Sequence, residues 1–88
     1  MDIRLASYEC KLMARDNIVQ FIDHADKTAL NKGRHIIGRG SQSSIRIDSA
    51  EKYVSREHLQ IVVRDNLLLE LTDLSSVGTY ISDDYIIN

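Results

Sequence analysis

Hydrophobic and polar positions alternate along much of the chain with a period of two, which is the period of β-strands rather than of helices. Near the start, Ile3 and Leu5 alternate with polar neighbours, and the pattern continues through residues 8–14. A helix over residues 7–15 is the competing interpretation, because Lys, Leu, Met, Ala and Arg are good helix formers. Further strand-like segments follow at residues 18–22, 34–38, 45–47, 59–63, 67–71 and 80–81, with a last apolar piece at 85–87 after an expected turn at 83–84.

A tight hairpin is predicted at residues 15–17, where the sequence reads Arg-Asp-Asn. Asp and Asn tolerate positive φ, which the two-residue turns of β-hairpins require. Such a turn places Leu12 opposite Phe21. It also places Ala14 opposite Val19. Apolar side chains then face apolar side chains, which favours this register.

The same tripeptide recurs at residues 64–66, between two apolar segments. A two-residue turn there would set Ile61 across from Glu70 and spoil the apolar match. A three-residue loop with Asn66 in the left-handed conformation keeps the apolar residues together. The sequence therefore predicts the pairs Val63 with Leu67, Ile61 with Leu69, and Leu59 with Leu71.

Three polar clusters lie between the predicted strands and are expected to form loops. An antiparallel sandwich brings loops of this kind together at one end of the fold. Residues 24–32 are also polar and are expected to form a loop, with a short strand at 28–30. The three clusters are Gly38-Arg39-Gly40-Ser41, Ser55-Arg56-Glu57-His58 and Asp73-Leu74-Ser75-Ser76-Val77-Gly78-Thr79.

The chemistry of these clusters suits an anion better than a substrate undergoing reaction. They offer a guanidinium fork, small hydroxyl groups and glycines, which are the groups that hold anions in proteins. No general base stands beside a nucleophile, so an enzyme is not expected. The loops carry four basic residues and three acidic ones, so their net charge is small and geometry must select the ligand. The basic residues are Arg39, Arg46, Lys52 and Arg56, and the acidic residues are Asp48, Glu51 and Glu57.

At these clusters the sequence resembles the forkhead-associated (FHA) family of phosphothreonine-binding domains. The hallmark of that family is Gly-Arg, then Ser-x-x-His, then a turn of the type Ser-x-Asn-Gly-Thr, on an all-β sandwich. All three motifs occur here in order and about the right distance apart, and Val77 stands where the family usually has Asn. The resemblance implies an all-β, FHA-like antiparallel β-sandwich that binds phosphothreonine. The matching residues are Gly38-Arg39, Ser55-Arg56-Glu57-His58 and Ser75-Ser76-Val77-Gly78-Thr79.

The resemblance also implies roles for individual residues. Arg39 would offer a charge-assisted fork to phosphate, with a surface ion pair as the alternative. Ser55 would hydrogen-bond a phosphate oxygen, and its alternative role is to cap a turn. Arg56 would add positive charge at the rim of the phosphate site, and the alternative is a solvated side chain. The complete set is Arg39, Ser55, Arg56, Ser76 and Val77 for phosphopeptide contacts, and Gly38, His58, Gly78 and Thr79 for loop support.

The start of the chain is similar to the end of the family pattern. After its Gly-Thr strand the family continues into a Gly-Asp-x-Ile-x-Leu-Gly segment and an aromatic-x-aromatic strand. Here Ala6 would stand for the glycine, and Cys10 and Leu12 for the aromatic residues. We therefore expect a single domain over residues 1–88, circularly permuted or strand-exchanged, in which residues 1–14 supply the C-terminal strands of the family. The alternative is an extra N-terminal strand on a shortened domain, which leaves sheet edges bare.

Composition agrees with one small globular domain. The 88 residues are 43% hydrophobic and 27% charged, and the net charge of −2 predicts no binding to nucleic acid or membrane. The single cysteine, Cys10, cannot form an internal disulfide, so a cytoplasmic location is expected, with Cys10 as a small core residue. No apolar run approaches membrane length, no signal peptide opens the chain, and no metal or cofactor is expected.

Together these features predict a phosphothreonine-dependent protein interaction module in signalling. It would bind a phosphorylated partner protein or peptide, as a monomer or as a strand-exchanged dimer. The alternative is a degenerate FHA fold that assembles proteins independently of phosphate, and the valine at position 77 favours this alternative.

Overall fold

The computed structural model describes residues 1–82, so the predictions for residues 83–84 and 85–87 lie outside the described part. The described chain forms strands and one short 3-10 turn, and residues 8–15 form the predicted strand rather than the competing helix. The strands are β1 (Asp2–Leu5), β2 (Tyr8–Arg15), β3 (Ile18–Asp23), β4 (Asp26–Leu30), β5 (Gly33–Gly38), β6 (Ile45–Arg46), β7 (Leu59–Val63), β8 (Leu69–Asp73) and β9 (Thr79–Ile81), and the 3-10 turn is Asp65–Leu67.

The strands form two sheets, which confirms the predicted antiparallel β-sandwich. The first sheet has the order β4-β3-β2-β1-β9, and all its neighbouring strands are antiparallel. The second has the order β6-β5-β7-β8 and is antiparallel except for the short parallel pair of β5 and β6.

The core lies between the sheets, because alternate side chains of strands such as β1 and β7 point inward. In β7, for example, Leu59, Ile61 and Val63 are buried while the residues between them are partly exposed. Cys10 belongs to this core, as predicted, and burial raises the pKa of its thiol to about 12. The buried apolar set is Ile3, Leu5, Cys10, Leu12, Val19, Phe21, Leu30, Ile37, Ile47, Val54, Leu59, Ile61 and Val63.

The hairpin of β2 and β3 has the predicted register. Asp16 and Asn17 both have positive φ, 53° and 64°, as the two-residue turn requires. Leu12 pairs with Phe21, and Ala14 pairs with Val19.

The predicted register of β7 and β8 is wrong by two residues. The structure pairs Leu59 with Asp73, Ile61 with Leu71, and Val63 with Leu69. The loop has five residues instead of three because Leu67 adopts positive φ as well as Asn66. A shift of two residues leaves every side chain on its predicted face, so the core pattern survives the error.

The short strand predicted at residues 28–30 is present but longer, because β4 occupies Asp26–Leu30 within the predicted loop. Four of its five residues are exposed, and the strand is held by backbone pairing to β3 at the edge of the first sheet. The polar residues at 26–27 gave no sign of a strand, since an edge strand of this kind buries only Leu30 and needs no apolar face.

The N-terminal hairpin of β1 and β2 lies inside the first sheet, between β3 and β9. Its two-residue turn has positive φ, 59°, at Ala6. The chain returns to this hairpin after β9, because the Ser82 N–H donates to the Asp2 carbonyl at 2.9 Å. The Asp2 N–H in turn donates to the Ser82 hydroxyl at 3.0 Å.

Candidate functional site

Three loops meet at one end of the sandwich, and the three polar clusters lie in these loops and at the strand ends that flank them. We call them loop 1 (residues 39–44), loop 2 (residues 47–58) and loop 3 (residues 74–78). Loops 1 and 2 run side by side, because the Arg39 N–H donates to the Ser55 carbonyl at 3.0 Å and the Gly40 N–H to that of Arg56 at 2.9 Å. Loop 3 reaches loop 2 where the Ser76 N–H lies 3.4 Å from the Ser55 hydroxyl oxygen.

Gly38 is required by the close approach of loop 2. A Cβ at this position would overlap the carbonyl group of Arg56, so any larger residue would push loop 2 away. A Cβ at Gly40 would lie 3.0 Å from the same carbonyl oxygen. The two glycines therefore set the distance between loops 1 and 2.

His58 connects loop 2 to loop 3 from inside the fold. Its side chain is fully buried, at 0% exposure, and both ring nitrogens have partners. Nδ1 accepts a hydrogen bond from the Ser55 N–H at 3.0 Å. Nε2 therefore carries the proton and donates to the Gly78 carbonyl at 2.9 Å. With both nitrogens engaged, the ring has no free lone pair or proton for catalysis.

The carboxylate of Asp73 organises loop 3, which the sequence analysis did not predict. Its Oδ1 accepts hydrogen bonds from the Ser75 N–H, the Ser75 hydroxyl and the Thr79 hydroxyl at 3.1, 2.6 and 2.9 Å. The Ser75 hydroxyl in turn accepts from the Gly78 N–H at 2.7 Å. The bonds from Ser75 and Thr79 hold the pKa of Asp73 below its ordinary value. The Asp-x-Ser spacing, typical of Asx turns, is the signal that could have indicated this role.

Arg39 is half-buried and anchored by one side of its guanidinium. Its Nε–H donates to the Val54 carbonyl of loop 2. This bond uses one of the five N–H donors of the guanidinium and leaves those of Nη1 and Nη2 for other partners. Arg46 supports the same loop, with its Nε–H donating to the Arg39 carbonyl at 3.2 Å.

The other predicted contact residues differ in exposure. Ser55 is half-buried, and its hydroxyl proton remains able to donate while the oxygen accepts from loop 3. Arg56 and Ser76 are exposed. Val77 is 54% exposed in loop 3, and its side chain has no hydrogen-bonding group. The three loops thus carry two guanidinium groups, two hydroxyl groups and an exposed apolar side chain among these residues.

Comparison with known families identifies the fold. The FHA domain model matches residues 35–88, which include all three loops and more than half of the chain. The chain therefore belongs to the FHA domain family, whose members are generally interaction modules that bind phosphorylated proteins and are not enzymes. Neither curated proteins nor solved structures gave a match.

Other kinds of site have little support in the described part of the chain. No group of three or more His, Cys, Asp or Glu side chains within residues 1–82 is placed to hold a metal ion. In the same residues, no helix is both long and apolar enough to cross a membrane.

Proposed function

We propose that this FHA domain binds phosphothreonine in a partner protein through loops 1, 2 and 3. The observation that carries the proposal is the coupling of Arg39 and Ser55. They belong to different loops, yet the Arg39 N–H donates to the Ser55 carbonyl at 3.0 Å. The Arg39 guanidinium also bonds the carbonyl of Val54, so a cation is anchored to the residue that precedes the Ser55 hydroxyl. A phosphate dianion is the ligand that uses both groups at once.

Arg39 would make the main charge-assisted contact. Its Nε–H is bonded to the Val54 carbonyl, which restrains the side chain and leaves the Nη1 and Nη2 donors for a ligand. Because part of the side chain is ordered before the ligand arrives, less rotational entropy is lost on binding. Ser55 would donate its hydroxyl proton to a second phosphate oxygen, and exposed Arg56 would add charge at the rim.

Loop 3 would contact the peptide beside the phosphate. Ser76 supplies a hydroxyl near Ser55, and Val77 supplies an apolar surface where the family usually supplies an amide. The preference for phosphothreonine over phosphoserine rests on family membership. A screen of phosphothreonine peptides against their unphosphorylated twins tests the proposal, and binding that ignores the phosphate contradicts it.

One observation favours the second candidate function, phosphate-independent assembly. Val77 is exposed at the tip of loop 3 and cannot hydrogen-bond the backbone of a peptide. An apolar tip suits contact with another protein surface even without a phosphate. In the same screen, this function would appear as equal binding of phosphorylated and unphosphorylated partners.

We also propose that residues 1–14 supply the C-terminal strands of the family in a circularly permuted domain. Three observations support this origin. The family match begins at residue 35, downstream of the hairpin of β1 and β2. That hairpin is inserted between β3 and β9, and Ser82, which follows β9, lies against Asp2. The tight turn between β2 and β3 keeps both strands in one chain, which favours a closed chain over exchange of this segment.

A protein partner is favoured over nucleic acid or membrane by the mixed charge of the loops, where Lys52 and Arg56 stand beside Glu51 and Glu57. We propose a cytoplasmic role in signalling, consistent with a single cysteine buried in the core.

A further inference from the structure

The edge of the second sheet at β8 is longer than the opposite edge of the same sheet. Among residues 1–82, no strand pairs with its outer side. The opposite edge, β6, is only two residues long and offers few backbone groups for pairing. β8 has five residues, of which Glu70 and Asp73 are acidic, and it contains no Lys.

Leucines continue along this edge beyond the strand itself. Leu69 and Leu71 are half-buried against the core. Leu68 and Leu74, at the two ends, are 60% and 41% exposed. The Leu74 N–H donates to the His58 carbonyl at 2.9 Å, so the extended backbone runs on past Asp73. An unpaired edge of this length, with an exposed leucine at each end, is a template for another strand.

The residue pattern of this edge allows pairing with a second copy without like charges opposite each other. Residues 68–74 read Leu-Leu-Glu-Leu-Thr-Asp-Leu. An antiparallel pair centred on Leu71 sets Leu71 against Leu71 and each exposed Leu68 against the Leu74 of the other copy. It also sets each Leu69 against Asp73. Glu70 then faces Thr72, while its carboxylate stays bonded to the Arg64 Nε–H at 2.5 Å. A pair centred on Glu70 would instead put two carboxylates opposite each other, which is destabilising.

We propose that two copies of this chain associate by pairing their β8 edges in antiparallel orientation about Leu71. The two four-stranded sheets become one sheet of eight strands. Because the pair is antiparallel, the two copies of loop 3 lie at opposite ends of the dimer. The assembly therefore carries two phosphopeptide sites that face away from each other, and it forms whether or not those sites bind phosphate.

Cysteine cross-linking tests both the contact and its register. Cys10 is buried, so a cysteine introduced at the edge is the accessible thiol. Leu68→Cys and Leu74→Cys chains are prepared separately and oxidised mildly, alone and mixed. The mixture is expected to form a disulfide-linked dimer. Neither variant alone is expected to form such a dimer, because the two copies of residue 68 would lie about 20 Å apart along the strands. No cross-link in the mixture, or equal cross-linking of each variant alone, overturns the proposal.

Sedimentation equilibrium tests the association without cross-linking. The double substitution Leu68→Glu with Leu74→Glu places carboxylates opposite each other across the pair, and should weaken dimerisation at least tenfold. Ile18→Glu is the matched control, since Ile18 is also exposed but lies on the first sheet. It should dimerise as the wild type does. A wild-type chain that stays monomeric up to millimolar concentration, or a double variant that dimerises as tightly as the wild type, overturns the proposal.

Discussion

The Nε2 atom of His58 lies 2.9 Å from the carbonyl oxygen of Gly78, twenty residues further along the chain. Through Nδ1, the same ring holds the backbone of Ser55, so one buried side chain joins loop 2 to loop 3. The hydroxyl of Ser55 and the tip of loop 3 therefore keep their relative positions because of a residue that no ligand could reach.

Replacing this ring should cost stability. His58→Ala leaves the Gly78 carbonyl and the Ser55 N–H without partners and opens a cavity, so we expect a loss of about 2–4 kcal/mol in the free energy of unfolding. Urea denaturation measures it. His35→Ala is the control, because the His35 ring makes a single bond to the Asn31 carbonyl at a more exposed position. Equal losses in the two variants would mean that His58 does not hold the loops.

The turn at Ala6 stores a small strain that glycine would relieve. Ala6 has a φ of 59°, where a side chain is disfavoured. Ala6→Gly should therefore raise the free energy of unfolding by about 1 kcal/mol. Gly78→Ala is the opposite test at a φ of 103° and should destabilise. Thermal or urea unfolding that shows Ala6→Gly to be less stable than the wild type would contradict this interpretation of the turn.

The hairpins explain how far the sequence could predict the fold. Asp16 and Asn17 are residues that accept positive φ, so the first turn and its register followed from residue type alone. Leu67 also has positive φ, which leucine rarely adopts, and no local preference could indicate it. That residue lengthened the second loop and displaced the register.

The site was predictable to the level of loops but not of contacts. The resemblance to the FHA motifs indicates the glycine and histidine positions that support the loops. The role of Asp73 depends on three donors that converge on one oxygen, and convergence of this kind depends on the path of the folded loop. The hydrogen bond from Arg39 to the Val54 carbonyl could not be predicted from the sequence for the same reason.

Val77 should limit affinity for a phosphopeptide. Val77→Asn would supply an amide at the exposed tip of loop 3, and the gain in binding should be about 1 kcal/mol or more. Isothermal titration with a phosphothreonine peptide measures it, and Val77→Ala is the control that adds no amide. A wild-type domain that already binds at nanomolar affinity, with no improvement in Val77→Asn, would show that this position is not limiting.

Residues 1–14 should be indispensable for folding. They include β1, most of β2 and the core residues Ile3, Leu5 and Leu12. Deleting them should give an unfolded or aggregated protein, as seen by circular dichroism and size-exclusion chromatography. Joining the same residues after residue 88 through a flexible linker should restore folding if the domain is permuted. If the chain without residues 1–14 still unfolded cooperatively, with the same transition as the wild type, the proposal of a permuted domain would be contradicted.

The central claim is that Arg39 and Ser55 together hold a phosphate. The most direct measurement is calorimetric titration of a library-selected phosphothreonine peptide and its unphosphorylated twin into wild type, Arg39→Ala and Ser55→Ala. Loss of either contact should weaken phosphopeptide binding by about 1.5–3 kcal/mol, roughly ten- to a hundredfold. Arg34→Ala, which removes an arginine bonded to Gln60 on the second sheet, should bind as the wild type does. If both site variants bound the phosphopeptide as tightly as the wild type, or if the unphosphorylated twin bound equally well, the account would be contradicted.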